Sequence, residues 1–418
     1  MTVTSPWRHA ASVAVGTLIL FSVGSAYVIS AWNNEMKDML GMTQVEIAAV
    51  GSCFTFGQFN LIWVGIFYDH FGARYSFLVS ATFLATFYWT AAWLTTAPLA
   101  PHWMMAATFA CIGFSHAFPT LSAIAATEGL YGDAHRGKIM GLLAGSYSGG
   151  GAAFAYIYHA WFDPHVGDFF TFMGWELSVL CLLGAVFIQS SSHLDKPQSP
   201  TVDEETPLEL KGKLEHNITL WPLLQTAQFW HLFVVVLVGV GSPLFVMNNL
   251  SFLVESYGGD AAHVPTLVQL FSLFNLVGRF AMGAISDAWL PTVPRTHFLT
   301  ASVVLVGLVQ LSFVVCPVEY LVVPVVLTGV GEGCVFGLFP VLTRELFGPR
   351  HFGKNYGLVS LANAVGFPLV LGPLSSALYR WQLAPGTEKC FGSSCFTPMF
   401  LFTAGLSLVA TFSSTRLH

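Results

Sequence analysis

Apolar residues in this chain gather into long unbroken blocks instead of scattered stripes. Twelve blocks of about twenty residues follow one another: 9–31, 46–67, 74–96, 101–127, 137–161, 168–190, 227–253, 263–286, 297–316, 319–343, 355–379 and 396–414. Each is long enough to cross a bilayer as a helix. Closed barrels show short alternating segments, so strands are not expected. The first block lacks a small-residue cleavage site after a short apolar core and is read as a retained helix. One polar, Pro-containing stretch breaks the pattern, Ser190 to Trp221. It divides the chain into a six-helix half at 1–190, a linker at 191–222 and a second six-helix half at 223–418. A short surface helix is expected near Leu208–Leu214. The NIT at Asn217 would face the cytosol and stay unglycosylated.

Composition agrees with the pattern. Only 9% of the 418 residues are charged, against about a quarter in soluble domains. The chain is expected to be an all-α membrane protein. Its Lys and Arg residues set an orientation. With both termini in the cytosol, inner segments hold Arg8, Arg74, Arg136, Lys138, Lys196, Lys211, Lys213, Arg295, Arg344, Arg350, Lys354 and Arg416. Outer loops hold Lys37, Arg380 and Lys389, and Arg279 stays within the membrane. The bilayer is thus a partner, in the plasma membrane or an organelle. Nothing points to nucleic acid or a cofactor, and no Cys/His spacing suits a metal. Cys390 and Cys395 flank an outer loop tip and could pair in an oxidising space.

The two halves repeat. LYGDAHRGKIMGL (130–142) aligns without gaps to LFGPRHFGKNYGL (346–358), seven of thirteen positions being identical. Gly65 and Asp69 in GIFYDHFGAR match Gly283 and Asp287 in GAISDAWLPTVPR. Parallel repeats joined by a linker describe an alternating-access carrier with its site at the midplane.

The stretch from Gly65 to Arg74 resembles the signature loop of the major facilitator superfamily. RGKIMGLLAGSYSGGGAAFAYIY (136–158), GVGSPLFVMNNL (239–250), SLFNLVGRFAMGAISD (272–287) and ELFGPRHFGKNYGLVS (345–360) resemble its nodulin-like, monocarboxylate-transporter-like branch. Residues 132–147 are also similar to amino-acid facilitators related to large neutral amino acid transport. Where plant nodulin-like members often carry Lys, this chain has Ala144, so the resemblance hands over no substrate. It implies the twelve-helix fold, a small-molecule substrate and a gating role for the loop acid. A monomer suffices for this architecture.

Asp69 and Arg74 are therefore gating candidates, with Asp287 and Arg136 beside them and Arg295 as a partner for Asp287. A carboxylate at a helix N-terminus is stabilised by the dipole and by nearby Arg. The alternative is loop charges that only set topology. Gly57, Gly65, Gly72, Gly141, Gly145, Gly149, Gly150, Gly151 and Gly283 suggest close helix approach; a bendable span 5 is the sharper possibility.

Arg279 in a membrane helix costs about 2.5–3.5 kcal/mol on insertion scales, so it needs a partner. Asn275 lies one turn earlier on the same face. Three roles stand open. Arg279 binds a substrate carboxylate, as the resemblance to monocarboxylate carriers implies. It forms a fixed ion pair with Glu332 or Glu176. Or it joins the gate around Asp287, about 12 Å along the axis. Those carriers place an acid where Asn275 stands, so proton co-transport lacks its obvious group here. Glu332 could carry a proton, bind an ammonium or balance Arg279. His116 lines the cavity or is a satisfied core histidine, the blander alternative. Asn248 and Asn249 are costly in lipid and face partners or water; Pro243 is expected to break span 7 nearby. Tyr27 and Tyr147 complete the cavity candidates. No nucleophile–base pair or phosphate loop suggests an enzyme. The expected function is transport of a small carboxylate, a monocarboxylate or an amino acid. The rivals are a non-transporting receptor or scaffold, and a carrier of an unrelated neutral solute.

Overall fold

The computed structural model describes residues 6–97, 100–127, 130–131, 133–188, 218–383 and 390–417. The expected linker helix and Asn217 lie outside them. Among the described residues every element is helical, and twelve crossings can be followed. Span 1 runs Pro6–Val23, through a 3-10 turn at Gly24–Val28, into Ile29–Leu40. Spans 2 and 3 form one string, Gln44–Phe59 then Leu61–Thr95, turned at Gly72. The φ of 80° there is one that only glycine adopts without strain. Spans 4 to 6 are His102–Thr127, Asp133–Trp161 and Val166–Phe187. Span 7 is Ala227–Asn248 plus Leu250–Ser256, and spans 8 to 10 are Val264–Trp289, Arg295–Val315 and Val322–Phe347. Span 11 is Phe352–Ala364, a π-helical stretch Val365–Leu371, then Gly372–Trp381; span 12 is Thr397–Thr415. Twelve crossings put the two chain ends on one face.

Three spans are not uniform α-helices. Span 1 reaches Leu40 but tightens at its middle. Span 7 continues through Pro243 and is interrupted at Asn249 instead. There the Asn248 and Asn249 amides donate to the Leu244 and Phe245 carbonyls at 2.8 and 2.9 Å, competing with the backbone ladder. Span 11 widens around Pro368, which lacks the N–H that a regular turn needs.

The halves, spans 1–6 and 7–12, meet where span 5 packs on span 8 and span 2 on span 11. Glycines permit this approach. A Cβ on Gly141 would stand 2.5 Å from the Arg279 carbonyl, and one on Gly337 of span 10 would stand 2.6 Å from the same oxygen. Span 8 is thus gripped from both sides at the level of Arg279. At the far end of the second half, a disulfide joins Cys390 and Cys395, with Cα atoms 5.9 Å apart.

Candidate functional site

Arg279 projects from the gripped stretch of span 8 and is 3% exposed. Its Nε donates to Asn275 Oδ1 at 2.6 Å. Asn275 Nδ2 in turn donates to Glu332 Oε2 on span 10 at 2.9 Å. Arg279 Nη1 crosses between the halves to the Ala144 carbonyl of span 5 at 2.9 Å. The guanidinium carbon lies 4.1 Å from the centre of the Phe336 ring, a cation–π contact. Two buried atoms remain without a hydrogen-bond partner, Arg279 Nη2 and Glu332 Oε1. They carry opposite charge.

Tyr27, on the 3-10 turn of span 1, has Arg279 and Glu332 as its charged neighbours. It is 38% exposed although it lies in mid-span. Its ring meets Tyr147 edge-on at 5.5 Å, and Gln58 donates to the Tyr147 hydroxyl. Arg279, Asn275, Glu332, Tyr27 and Tyr147 therefore converge from spans 1, 5, 8 and 10. Arg279 makes no ion pair with Glu332, Glu176 or Asp287 among the described residues, and an amide stands where a direct pair with Glu332 was one expectation. Spacing within span 8 pointed to Asn275. Phe336, the Ala144 carbonyl and Gln58 were missed; of these, only Gln58, polar within an apolar block, left a signal.

The other cavity candidates lie elsewhere. His116 is fully buried, its Nε2 3.0 Å from the Tyr88 hydroxyl, with Phe54 edge-on at 5.4 Å. It belongs to a separate polar group inside the first half. Asn248 and Asn249 turn their amides onto their own helix and share no hydrogen bond with the Arg279 group among the described residues.

The gating candidates gather on the face of the chain ends. Asp69 accepts from the backbone N–H groups of Gly353 and Lys354 at 3.1 and 3.0 Å, at the start of span 11 in the other half. Asp287 accepts from Gly137 and Lys138 at 2.9 and 2.8 Å, at the start of span 5. The repeated GK of the thirteen-residue motif is thus the socket for the repeated acid. An Asp69–Arg74 pair was expected; Arg74 is exposed and forms no ion pair among the described residues, because helix-start N–H groups supply the positive field. Asp287 is the more heavily bonded copy. Arg295 Nη2 lies 2.6 Å from its Oδ1, and Arg295 Nη1 donates to Glu345. Arg136 is buried one residue before Gly137. No group of three or more His, Cys, Asp or Glu that could hold a metal occurs among the described residues.

The arrangement can hold an anion against a buried guanidinium at the interface between two halves. Comparison with known proteins agrees with this architecture. The Major Facilitator Superfamily model matches residues 13–371 and 247–415. The uncharacterized MFS-type transporter YhjX of Escherichia coli strain K12 is 24% identical, the match covering 84% of each chain. The probable transporter MCH1 of Yarrowia lipolytica is 24% identical, covering 95% of this chain and 90% of its own. The human organic anion transporter MFSD10 (TETRAN) shares the fold with a TM-score of 0.71 at 16% identity, covering 98% of this chain and 100% of that one.

Proposed function

The chain belongs to the major facilitator superfamily, and from that premise we propose that it carries a small carboxylate-bearing solute by alternating access, with Arg279 as the carboxylate ligand. One observation carries this: Arg279 is buried between the halves, yet its Nη2 has no hydrogen-bond partner among the described residues. A guanidinium edge offers paired donors to a carboxylate, and such charge-assisted bonds are short and strong. Tyr27 and Tyr147 supply hydroxyls beside it. Glu332 Oε1 is the complementary unpartnered atom. It favours, as the second reading, a solute that also carries an ammonium, which is an amino acid in place of a simple monocarboxylate. Rocking of the halves would expose the site to each side in turn, with the Asp69 and Asp287 contacts closing the face of the chain ends. The Lys and Arg distribution supports placing that face in the cytosol, and the quoted stretches support the nodulin-like, monocarboxylate-transporter-like branch.

The test is uptake into liposomes of labelled lactate, pyruvate and a panel of amino acids, by wild type and Arg279→Lys. Losing one or two charge-assisted bonds of about 1.5–3 kcal/mol each should lower uptake of the transported solute at least about tenfold, with binding lowered in parallel. Uptake of none of these solutes, or full activity in the variant, overturns the assignment. A receptor or scaffold would show binding without uptake.

A further inference from the structure

The first half holds a second buried polar group that the Arg279 site does not use. Glu176 of span 6 accepts from the Ser22 hydroxyl at 2.5 Å through Oε1. Its Oε2 is buried with no hydrogen-bond partner. Span 3 contributes Tyr88, which has Glu176 as its charged neighbour and whose hydroxyl lies 3.0 Å from His116 Nε2 of span 4. Span 1 contributes Ser22 and Ser25, and neither is charged. Cys181 is the other titratable neighbour on span 6. Among the described residues, no Lys or Arg forms an ion pair with Glu176. A small cavity lined in part by Phe54, Phe170 and Met173 shares Ser25 and Tyr88 with this group, and Met173 lies one turn from Glu176 on span 6.

A half-buried carboxylate whose free oxygen is buried, with one hydroxyl donor and no ion pair among the described residues, is a costly charge. A single proton on Oε2 removes that charge and keeps the Ser22 bond to Oε1. We propose that Glu176 is a reversible proton-binding site in the first half, separate from the Arg279 group. Its bond to span 1 gives it a reader. Ser22, Ser25 and Tyr27 lie within six residues, across the 3-10 turn Gly24–Val28. Ser22 and Ser25 face the Glu176 group, and Tyr27 faces Arg279 and Glu332. Charging or discharging Glu176 alters the hold on Ser22, and the turn passes that change to Tyr27.

Infrared difference spectroscopy on the full chain in liposomes, titrated with pH and without solute, tests the site independently of the carboxylate assignment. Wild type should show a protonated-carboxyl stretch that is lost as pH rises. Glu176→Gln should remove that band, and Glu332→Gln should retain it. A band that survives Glu176→Gln but vanishes in Glu332→Gln, or no titrating band in wild type, overturns the proposal. Should Glu176→Gln fail to yield folded protein, Ser22→Ala keeps the test open. Removing the one donor to Oε1 should move the protonated-carboxyl band to higher frequency, because that oxygen loses its hydrogen bond, and an unchanged band position overturns the site.

Discussion

At the scale of single residues, Asn275 decides how Arg279 is held. It accepts from the guanidinium with its oxygen and donates to Glu332 with its nitrogen, so one amide satisfies both charges without letting them collapse together. That leaves Nη2 and Oε1 available. Asn275→Ala would orphan Arg279 Nε and Glu332 Oε2 in a buried setting, each costing about 1–3 kcal/mol. Thermal unfolding in detergent should show a clear loss of stability; an unchanged midpoint would mean that water replaces the amide. The need for a partner was legible in the sequence, since a mid-membrane arginine demands one. Asn275 was legible from its one-turn spacing. The choice among Glu332, Glu176 and Asp287 was not, because it depends on which helices are neighbours. Glu332 of span 10 reaches Asn275 from 57 positions away. Span 6 turns its acid toward span 1, and Asp287 is held by Arg295 and a helix start.

At the scale of helices, the packing of span 8 rests on absent side chains. The glycines of span 5 were readable as close-packing positions; that Gly141 and Gly145 face the span 8 backbone around Arg279, while Gly150 and Gly151 face span 1 at Phe21 and Tyr27, was not. Gly141→Val would drive a side chain into the Arg279 carbonyl and Phe280 Cα. Separating backbones in a packed interface costs about 1–3 kcal/mol or more. Gly145→Ala, whose added carbon meets Leu276 at 3.3 Å, should cost less. Parallel melting curves check the order of the two, and equal effects would argue against a graded grip. The interruptions in spans 1, 7 and 11 were only partly legible. Pro243 drew attention to span 7, but proline inside a membrane helix can be accommodated by its neighbours, and the paired asparagines set the actual break.

At the scale of the molecule, two acid-to-helix-start contacts tie the halves on the face of the chain ends. The repeat was visible as text in the thirteen aligned positions, but the way each acid reaches across to the other half's copy emerges only in three dimensions. The copies are unequal. Asp69→Asn keeps one acceptor oxygen for Gly353 or Lys354, so the protein should stay folded while transport slows. Asp287→Asn also weakens the buried contact with Arg295, and disrupting a buried pair costs about 3–5 kcal/mol. Its melting point should therefore fall further than that of Asp69→Asn, and the reverse order would place the stronger lock at Asp69.

Each half both offers an acid and receives one. Neither is a lid on the other; they are reciprocal bolt and keeper, and no covalent bond enters the fit. Continuity of the chain then matters chiefly as effective concentration. Co-expressed as two polypeptides parted between 191 and 217, the halves should co-purify as a pair. Asp69→Asn and Asp287→Asn together should weaken that pairing far more than they weaken the intact chain.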